Sequence, residues 1–470
     1  MVRSTSGRQQ IVARWMHLLR PVVLALGAVA VGILLFRAGF QLRQATAAAA
    51  VALAMACWAS NALPEMTTGL VFFAVATVGG IAEPKSVFVG FASSAFWLVL
   101  GGMIVAQAMT KTGLGRRIAA CIAEPLSTSY PRLILGTVLI TYALAFLMPS
   151  NIGRIVLLMP IMLAIADRAG LGEGRPGRTG VVLAVGFGTF ILSTTILPSN
   201  VPNLIMAGSV EAVHGIRLSY LDYLALHAPI LGIARSALLV VLICRLFPDV
   251  VSASALSVAQ APMSVEEWRL SVVLAATLGL WVTEGLHGIA PAWVGLAAGV
   301  ACLLPGIGML SPDAFNSINH RTLLYVAALL GVVTVISEAG LGDAFAKLVL
   351  AAMPLQAGAD AWNFGLLVLL SFVISLVASA NAVGAIYTAL ATNLVEATGL
   401  PLMSVLMVQV IGFSTVAFAY QAPPIMVSVS LGNIGPSQVA RLGIPLAILT
   451  FLVLVPADYV WWRLLGMLVR

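Results

Sequence analysis

The sequence predicts an all-α integral membrane protein, and three observations predict it. Of 470 residues, 61% are apolar and 9% charged, and the mean hydropathy is +1.06, outside the range of soluble domains. Apolar stretches approaching the roughly 20 residues needed to cross a hydrocarbon core recur from end to end, separated by short polar joints. Stretches such as VLALGAVAVGILLF, ending at Phe36, do not alternate apolar and polar residues as outer-membrane strands do. Helices, which satisfy backbone polarity internally, are therefore expected.

Residues 1–20 form a basic amino-terminal segment with Arg3, Arg8, Arg14 and Arg20, and this excess of cations places it in the cytoplasm. The apolar run that follows is long and lacks a small-residue cleavage signal, so it reads as a retained helix rather than a removed signal peptide. Apolar centres then recur at 22–35, 47–59, 96–108, 133–148, 237–244, 272–282, 323–336, 366–377 and 444–455. Lys111, Arg116 and Arg117 mark a second cytoplasmic joint. The net charge of +7 lies in joints and at chain ends, not in a stripe interleaved with aromatics, so no nucleic acid partner is expected. The expected location is a cell inner (plasma) membrane, with the lipid bilayer as the surrounding partner.

The chain repeats itself. FWLVLGGMIVAQAMTKTGLGRRIA from Phe96 is similar to LLYVAALLGVVTVISEAGLGDAFA from Leu323, each with a GLG turn after an apolar helix. Gly340 follows Gly113 by 227 positions and Asn381 follows Asn151 by 230. The expected organisation is a first membrane repeat over 21–250, a polar linker over 251–269 and a second membrane repeat over 270–470. Duplicated membrane units are a feature of secondary transporters, although channels and enzymes are duplicated too.

Each repeat is interrupted at polar, Gly- or Pro-containing spots: LMPSNIG around Ser150, LPSNVPN around Ser199, VASANAVG around Asn381 and YQAPPI around Pro423. A broken helix bares backbone groups at membrane depth, tolerable only against protein or a water-filled cavity. The helices starting after Asn151 and Asn381 would aim their amino ends, with free N–H donors, at a bound anion. The alternative is that Pro149, Pro198 and Pro202 merely kink continuous spans.

These residues resemble the divalent anion:sodium symporter family of dicarboxylate, citrate and sulfate carriers, over roughly residues 54–434. PSNIGRIVLLMPI, from Pro149 to Ile161, is similar to that family's first SNT motif, with Ile152 in place of the threonine. WVTEGLHGI from Trp281 and ACWASNALP before Met66 resemble its openings of the two halves. LPSNVPNLI resembles its GTPPN loop, and QAPPI the paired loop of the second half. The second SNT is reduced to Ala380, Asn381 and Ala382, with Ser379 one position earlier.

The resemblance implies two inverted repeats with broken helices and re-entrant hairpins, a dimeric scaffold and an elevator-type transport domain. It implies a substrate site that includes Asn151, Asn200, Asn381, Pro202 and Pro424, to which Arg154, three positions beyond Asn151, is added as a candidate by its own place in the chain. Sodium, the coupling ion and the only cofactor-like partner expected, falls by resemblance to Ser150, Asn151, Ser199, Ser379 and Asn381. Neutral amides suit a substrate carboxylate or sulfate oxygen because little charge is desolvated, and hydroxyls suit a hard cation. Interhelical hydrogen bonding and helix capping by the same residues are the alternatives. Asn203 is expected to brace its loop.

Arg154 stands where the family has a small or hydroxyl residue. An intramembrane guanidinium in the first turn of a helix opposes the helix dipole and needs a bound anion, an acidic partner or a route to water. Glu284 and His287, spaced i and i+3, invite comparison with a relay or metal pair, but the resemblance puts them in the scaffold with structural roles. The four cysteines lack CxxC spacing and are expected to pack as small hydrophobes. HExxH, GxSxG and GxxxxGK do not occur, so a non-enzyme is expected. The expected function is sodium-coupled symport of a small divalent anion. Sodium-independent exchange or proton coupling that uses Arg154 is the alternative on the same fold; an anion channel or a membrane enzyme is the alternative from another class.

Overall fold

Prolines start many helices of this chain and glycines end many of them, the polarity their backbone chemistry dictates. The computed structural model describes residues 5–60, 62–126, 128–251 and 262–468, and among them every regular element is helical. The first half comprises α1 (Thr5–Arg37), α2 (Leu42–Ser60), α3 (Glu65–Val78), the single turns α4 (Pro84–Val87) and α5 (Val89–Ala92), α6 (Ser94–Thr112), α7 (Leu114–Leu126), α8 (Tyr130–Leu147), α9 (Asn151–Arg168), α10 (Pro176–Ser193), α11 (Val201–His214), α12 (Tyr220–His227) and α13 (Arg235–Leu246). The second comprises α14 (Val265–Val282), the turn α15 (Glu284–His287), α16 (Pro291–Leu303), α17 (His320–Glu338), α18 (Leu341–Ala352), α19 (Asp360–Val377), α20 (Ala380–Thr398), α21 (Leu402–Phe413), α22 (Pro423–Leu431), α23 (Pro436–Leu449) and α24 (Val455–Leu464).

Eight helical stretches among the described residues are long and apolar enough to cross a membrane, so the chain is a multi-pass membrane protein. Two of them are compound. A π-helical segment, Ala228–Ala234, joins α12 to α13, and another, Thr450–Leu454, joins α23 to α24. From α2 onward the order of elements repeats, pairing α2 with α14, α3 with α16, α6 with α17, and so on to the two compound helices. The packing repeats with partners exchanged: α3 lies on α17 and α16 on α6, while α11 lies on α20 and α22 on α9. Exchanged pairs of this kind are what an approximate twofold relation produces.

Small residues allow the closest crossings, as expected where apolar burial alone cannot drive helix association. A Cβ built on Gly101 of α6 would lie 2.3 Å from the Gly295 carbonyl oxygen of α16, and one on Gly69 of α3 would lie 2.9 Å from Ala328 of α17. Ser93 caps α6, accepting from the Phe96 N–H, and Gly113 ends it at φ 82. Gly340 makes the matching turn between α17 and α18 at φ 66.

Helix α1 begins within the basic segment, so residues expected to precede the first span are already helical from Thr5; Arg3 lies outside the described residues. Of the linker, 252–261 lie outside them too. A capping box between Ser264 and Glu267 starts α14 at Val265, so the last linker residues belong to that helix.

Candidate functional site

The hairpin α8–α9 turns over Met148–Ser150. Ser150 caps α9 by accepting from the Gly153 N–H at 3.2 Å, which fixes Asn151 as the first helical residue. Between α10 and α11 the chain makes a 3-10 turn, Leu197–Ser199. Asn203, in the first turn of α11, donates its amide to the carbonyls of Thr194 and Ile196 at 3.0 and 3.1 Å, bracing that loop. The second half repeats the device with different chemistry. Gln421, in the 3-10 turn Ala419–Gln421, accepts from the Ala417 and Phe418 N–H groups at 2.8 and 2.9 Å and donates to Ser375 Oγ at 3.2 Å.

These tips and loops meet at one cavity of about 500 Å³. Its wall includes Ser150, Asn151, Ser199, Asn200, Pro202, Asn381, Pro423 and Pro424. The amino ends of α9, α11, α20 and α22 all reach it, two from each half. Pro202 and Pro424 lie in first turns, where a missing N–H is tolerated, and contribute wall rather than donors. Asn200 is committed at both ends of its amide, accepting from Asn151 Nδ2 at 3.0 Å and donating to the Phe190 carbonyl at 3.2 Å. Asn381 interacts with the Tyr325 hydroxyl, as does Ser379; Ser379 caps α20 by position and is not part of the cavity wall.

Arg154 is 0% exposed and does not line the cavity. Its guanidinium turns back, donating to the Met148 carbonyl and Ser199 Oγ, each at 2.7 Å, and to Asn151 Oδ1. Longer contacts reach the carbonyls of Thr189 at 3.3 Å and Ser199 at 3.4 Å. No carboxylate among the described residues forms an ion pair with it. A buried cation thus stands one side chain behind the wall, holding Asn151 and Ser199 in place. Ser199 Oγ also donates to the Ala145 carbonyl at 2.8 Å, so its hydroxyl is engaged on both sides.

Several wall residues had no signal in the sequence beyond their type. Glu65 and Lys111 are the charged side chains on the wall. A carboxylate at the start of α3 reads as an ordinary charge at a helix amino end, and a lysine at the end of α6 as its complement. Tyr325 sits inside an apolar run, where a lone tyrosine reads as core; it packs edge-on against Trp58 at 5.3 Å.

Glu284 and His287 bond backbone separately: Glu284 accepts from the Tyr220 N–H at 2.9 Å, and the His287 ring meets the Leu280 carbonyl at 2.9 Å. Cys57 and Cys302 are buried, Cys244 is half-buried and Cys121 is exposed. Cys121 therefore does not pack as a core hydrophobe, because its helix α7 is amphipathic and turns that position outward.

A family model for the sodium:sulfate symporter transmembrane region matches residues 13–468. A protein of Cupriavidus necator described only as a membrane protein is 28% identical over 395 residues, 80% of this chain and 76% of that one. The sodium-dependent dicarboxylate transporter SdcS of Staphylococcus saprophyticus is 28% identical over 180 residues, which span 37% of this chain and 34% of SdcS. Among solved structures, the YdaH transporter of Alcanivorax borkumensis superposes with a TM-score of 0.55 at 17% identity, covering 85% of this chain and 90% of that one, a likeness of fold. Broken helices meeting at one cavity within a duplicated membrane bundle, matched by a family model over nearly its whole length, identify the chain: it belongs to the sodium:sulfate symporter family, whose members are transporters and not enzymes.

Proposed function

We propose that this chain is a secondary transporter of small divalent anions such as dicarboxylates or sulfate, driven by sodium and working by elevator-type alternating access. The observation that carries the anion is the convergence of four helix amino ends on one cavity. Each such end is equivalent to about +0.5 elementary charge, so together they offer about +2, the complement of a dianion. Arg154 adds a fixed positive charge behind the wall, while Glu65 and Lys111 on the wall carry opposite charges. Asn151 and Asn381 supply amide donors, one from each half. Family membership and the likeness to SdcS, a sodium-dependent dicarboxylate transporter, support sodium coupling and a dicarboxylate cargo. The same reading puts the chain in a plasma membrane as a homodimer with a cytoplasmic amino terminus.

One observation favours a second reading of the coupling. Sodium in the first half requires oxygens from Ser150, Asn151 and Ser199, yet Arg154 already donates to Asn151 Oδ1 and Ser199 Oγ. A second cation there meets a guanidinium on the same oxygens. In this reading Arg154 stands in for the first-half sodium, and the remaining site at Ser379 and Asn381 takes one ion or none. Uptake of radiolabelled succinate and sulfate into proteoliposomes tests both, with a sodium gradient, a potassium gradient or internal anion. Sodium-driven accumulation supports symport, and sodium-independent uptake that needs internal anion supports exchange. Absence of saturable uptake of either anion under all three conditions overturns the transporter assignment for these substrates.

A further inference from the structure

The two π-helical segments bring a second set of ionisable side chains into the membrane interior, apart from the anion cavity. Arg235 follows the segment Ala228–Ala234, and Asp458 lies four residues beyond Thr450–Leu454, so the two occupy nearly matching places in the two halves. They are 1% and 0% exposed. Arg235 donates to Ser414 Oγ at 2.7 Å, Thr415 Oγ1 at 3.1 Å and Thr450 Oγ1 at 3.5 Å, all neutral hydroxyls. Neither carboxyl oxygen of Asp458 has a hydrogen-bond partner, although Arg235 lies near enough to act on it electrostatically. The pair stops short of an ion pair.

His227, the last residue of α12, is 0% exposed and neither ring nitrogen is partnered. Its ring meets that of Trp462 at 5.8 Å, and Trp462 lies one turn beyond Asp458 on the same face of α24, its indole N–H also unpartnered. With Arg235 Nε, six buried polar atoms stand open in one neighbourhood. A buried network that serves packing alone satisfies its members. Intramembrane ionisable groups that do not are marks of function, and π-helical segments recur at functional sites.

The geometry points to a proton-binding site: we propose that Asp458 takes up and releases a proton within the membrane, with Arg235 governing when. With the proton on one carboxyl oxygen, the side chain is neutral and Arg235 stays on its hydroxyls. When the proton leaves to water, the carboxylate draws Arg235 from Ser414 and Thr450, moving α13 against α24. Of the other ionisable groups on the packed elements, Tyr142 of α8 shares a hydrogen bond with Thr195 Oγ1 at 3.1 Å, Tyr459 of α24 packs edge-on against Phe364 at 5.7 Å, and Arg245 is exposed at the end of α13. Tyr223 of α12 is committed to the Thr194 carbonyl at 2.7 Å, and Arg441 of α23 stacks over Phe247. Asp222, Asp360 and Arg463 sit in terminal turns with solvent access. The π-helical segments carry none.

Infrared difference spectra of the full chain in liposomes, between acidic and alkaline pH and without any anion, read this site directly. The expected result is a carbonyl band of a buried carboxylic acid that disappears in Asp458→Asn, a substitution close in shape to the protonated acid. In Arg235→Gln, which removes the cation that favours the carboxylate, the band should persist to higher pH by about one unit or more, tenfold in proton affinity. No such band, a band unchanged in Asp458→Asn, or a band whose pH dependence ignores Arg235→Gln would each overturn the proposal. Because no anion is present, failure here leaves the anion-transport reading standing, and failed uptake leaves this one standing.

Discussion

Replacing Arg154 with lysine keeps a positive charge in the first turn of α9 but removes the planar fork that reaches Met148, Ser199 and Asn151 together. An ammonium on a single stem serves the Met148 side or the Asn151 side, not both. Hydrogen bonds to a charged group contribute about 1.5–3 kcal/mol each. Asn151 Oδ1 keeps a second donor in Ser193 Oγ at 3.1 Å, while Ser199 Oγ accepts from Arg154 and in turn donates to Ala145. Losing one arm therefore releases either the amide or the loop that shapes the cavity, at a cost to anion binding of about 1.5–3 kcal/mol. That corresponds to roughly a 10- to 100-fold rise in KM. The assay is uptake into proteoliposomes across substrate concentrations, with thermal unfolding in detergent as the control for folding. Arg154→Ala should do more, because it removes the donors to Asn151 Oδ1 and Ser199 Oγ together and opens a void in addition. A lysine variant with wild-type KM and wild-type unfolding temperature would refute the positioning role.

The remaining expectations concern other parts of the molecule. Asn381→Ala should weaken anion affinity by roughly 10- to 100-fold by deleting a donor to a charged ligand, whereas Tyr325→Phe, which removes a hydroxyl that interacts with Asn381, should cost about 1 kcal/mol, roughly fivefold; competition by unlabelled anion measures both. Gly101→Val puts a branched side chain where even a Cβ lies 2.3 Å from the Gly295 carbonyl, so α6 and α16 must separate at a cost of about 1–3 kcal/mol or more, and the yield of monodisperse protein should fall sharply. Asp249, outside the spans, binds Arg175 and the N–H groups of Gly177 and Val250. Burial pushes its carboxyl up, but these bonds outweigh it and hold the group below the usual carboxylate range. Such a group stabilises the fold fully above about pH 4 and loses that contribution as pH falls through its lowered folded-state value. Asp249→Asn should thus lower the unfolding temperature at neutral pH, with the difference from wild type shrinking toward strongly acidic pH.

An arginine without a carboxylate partner inside a membrane needs an account, and its surroundings provide one. Five protein oxygens surround the Arg154 guanidinium, and a dianion in the cavity ahead of Asn151 would complete the neutralisation. Substrate and guanidinium then stabilise each other through the wall. This explains how a residue that touches no cavity space still bears on the affinity of whatever enters it.

Composition and residue order alone made it legible that the chain is a helical membrane protein, that it is duplicated, and where its helices break. Those features rest on apolar run length, residue spacing and the local chemistry of Pro, Gly, Ser and Asn, all written along the chain. Residue order also marked Asn151, Asn200 and Asn381, because an amide at a helix break within an apolar run is a local signal. That four helix amino ends share one cavity came from the folding, since elements more than 200 positions apart meet there. Folding turned Arg154 away from the cavity toward Met148 and Ser199, an orientation set by how near the 3-10 turn of one helix pair comes to the tip of another. It brought Glu65, Lys111 and Tyr325 to the wall, and Arg235, His227 and Asp458 to one neighbourhood. Each of these is an ordinary residue in its own stretch, and its environment comes from other stretches folded against it.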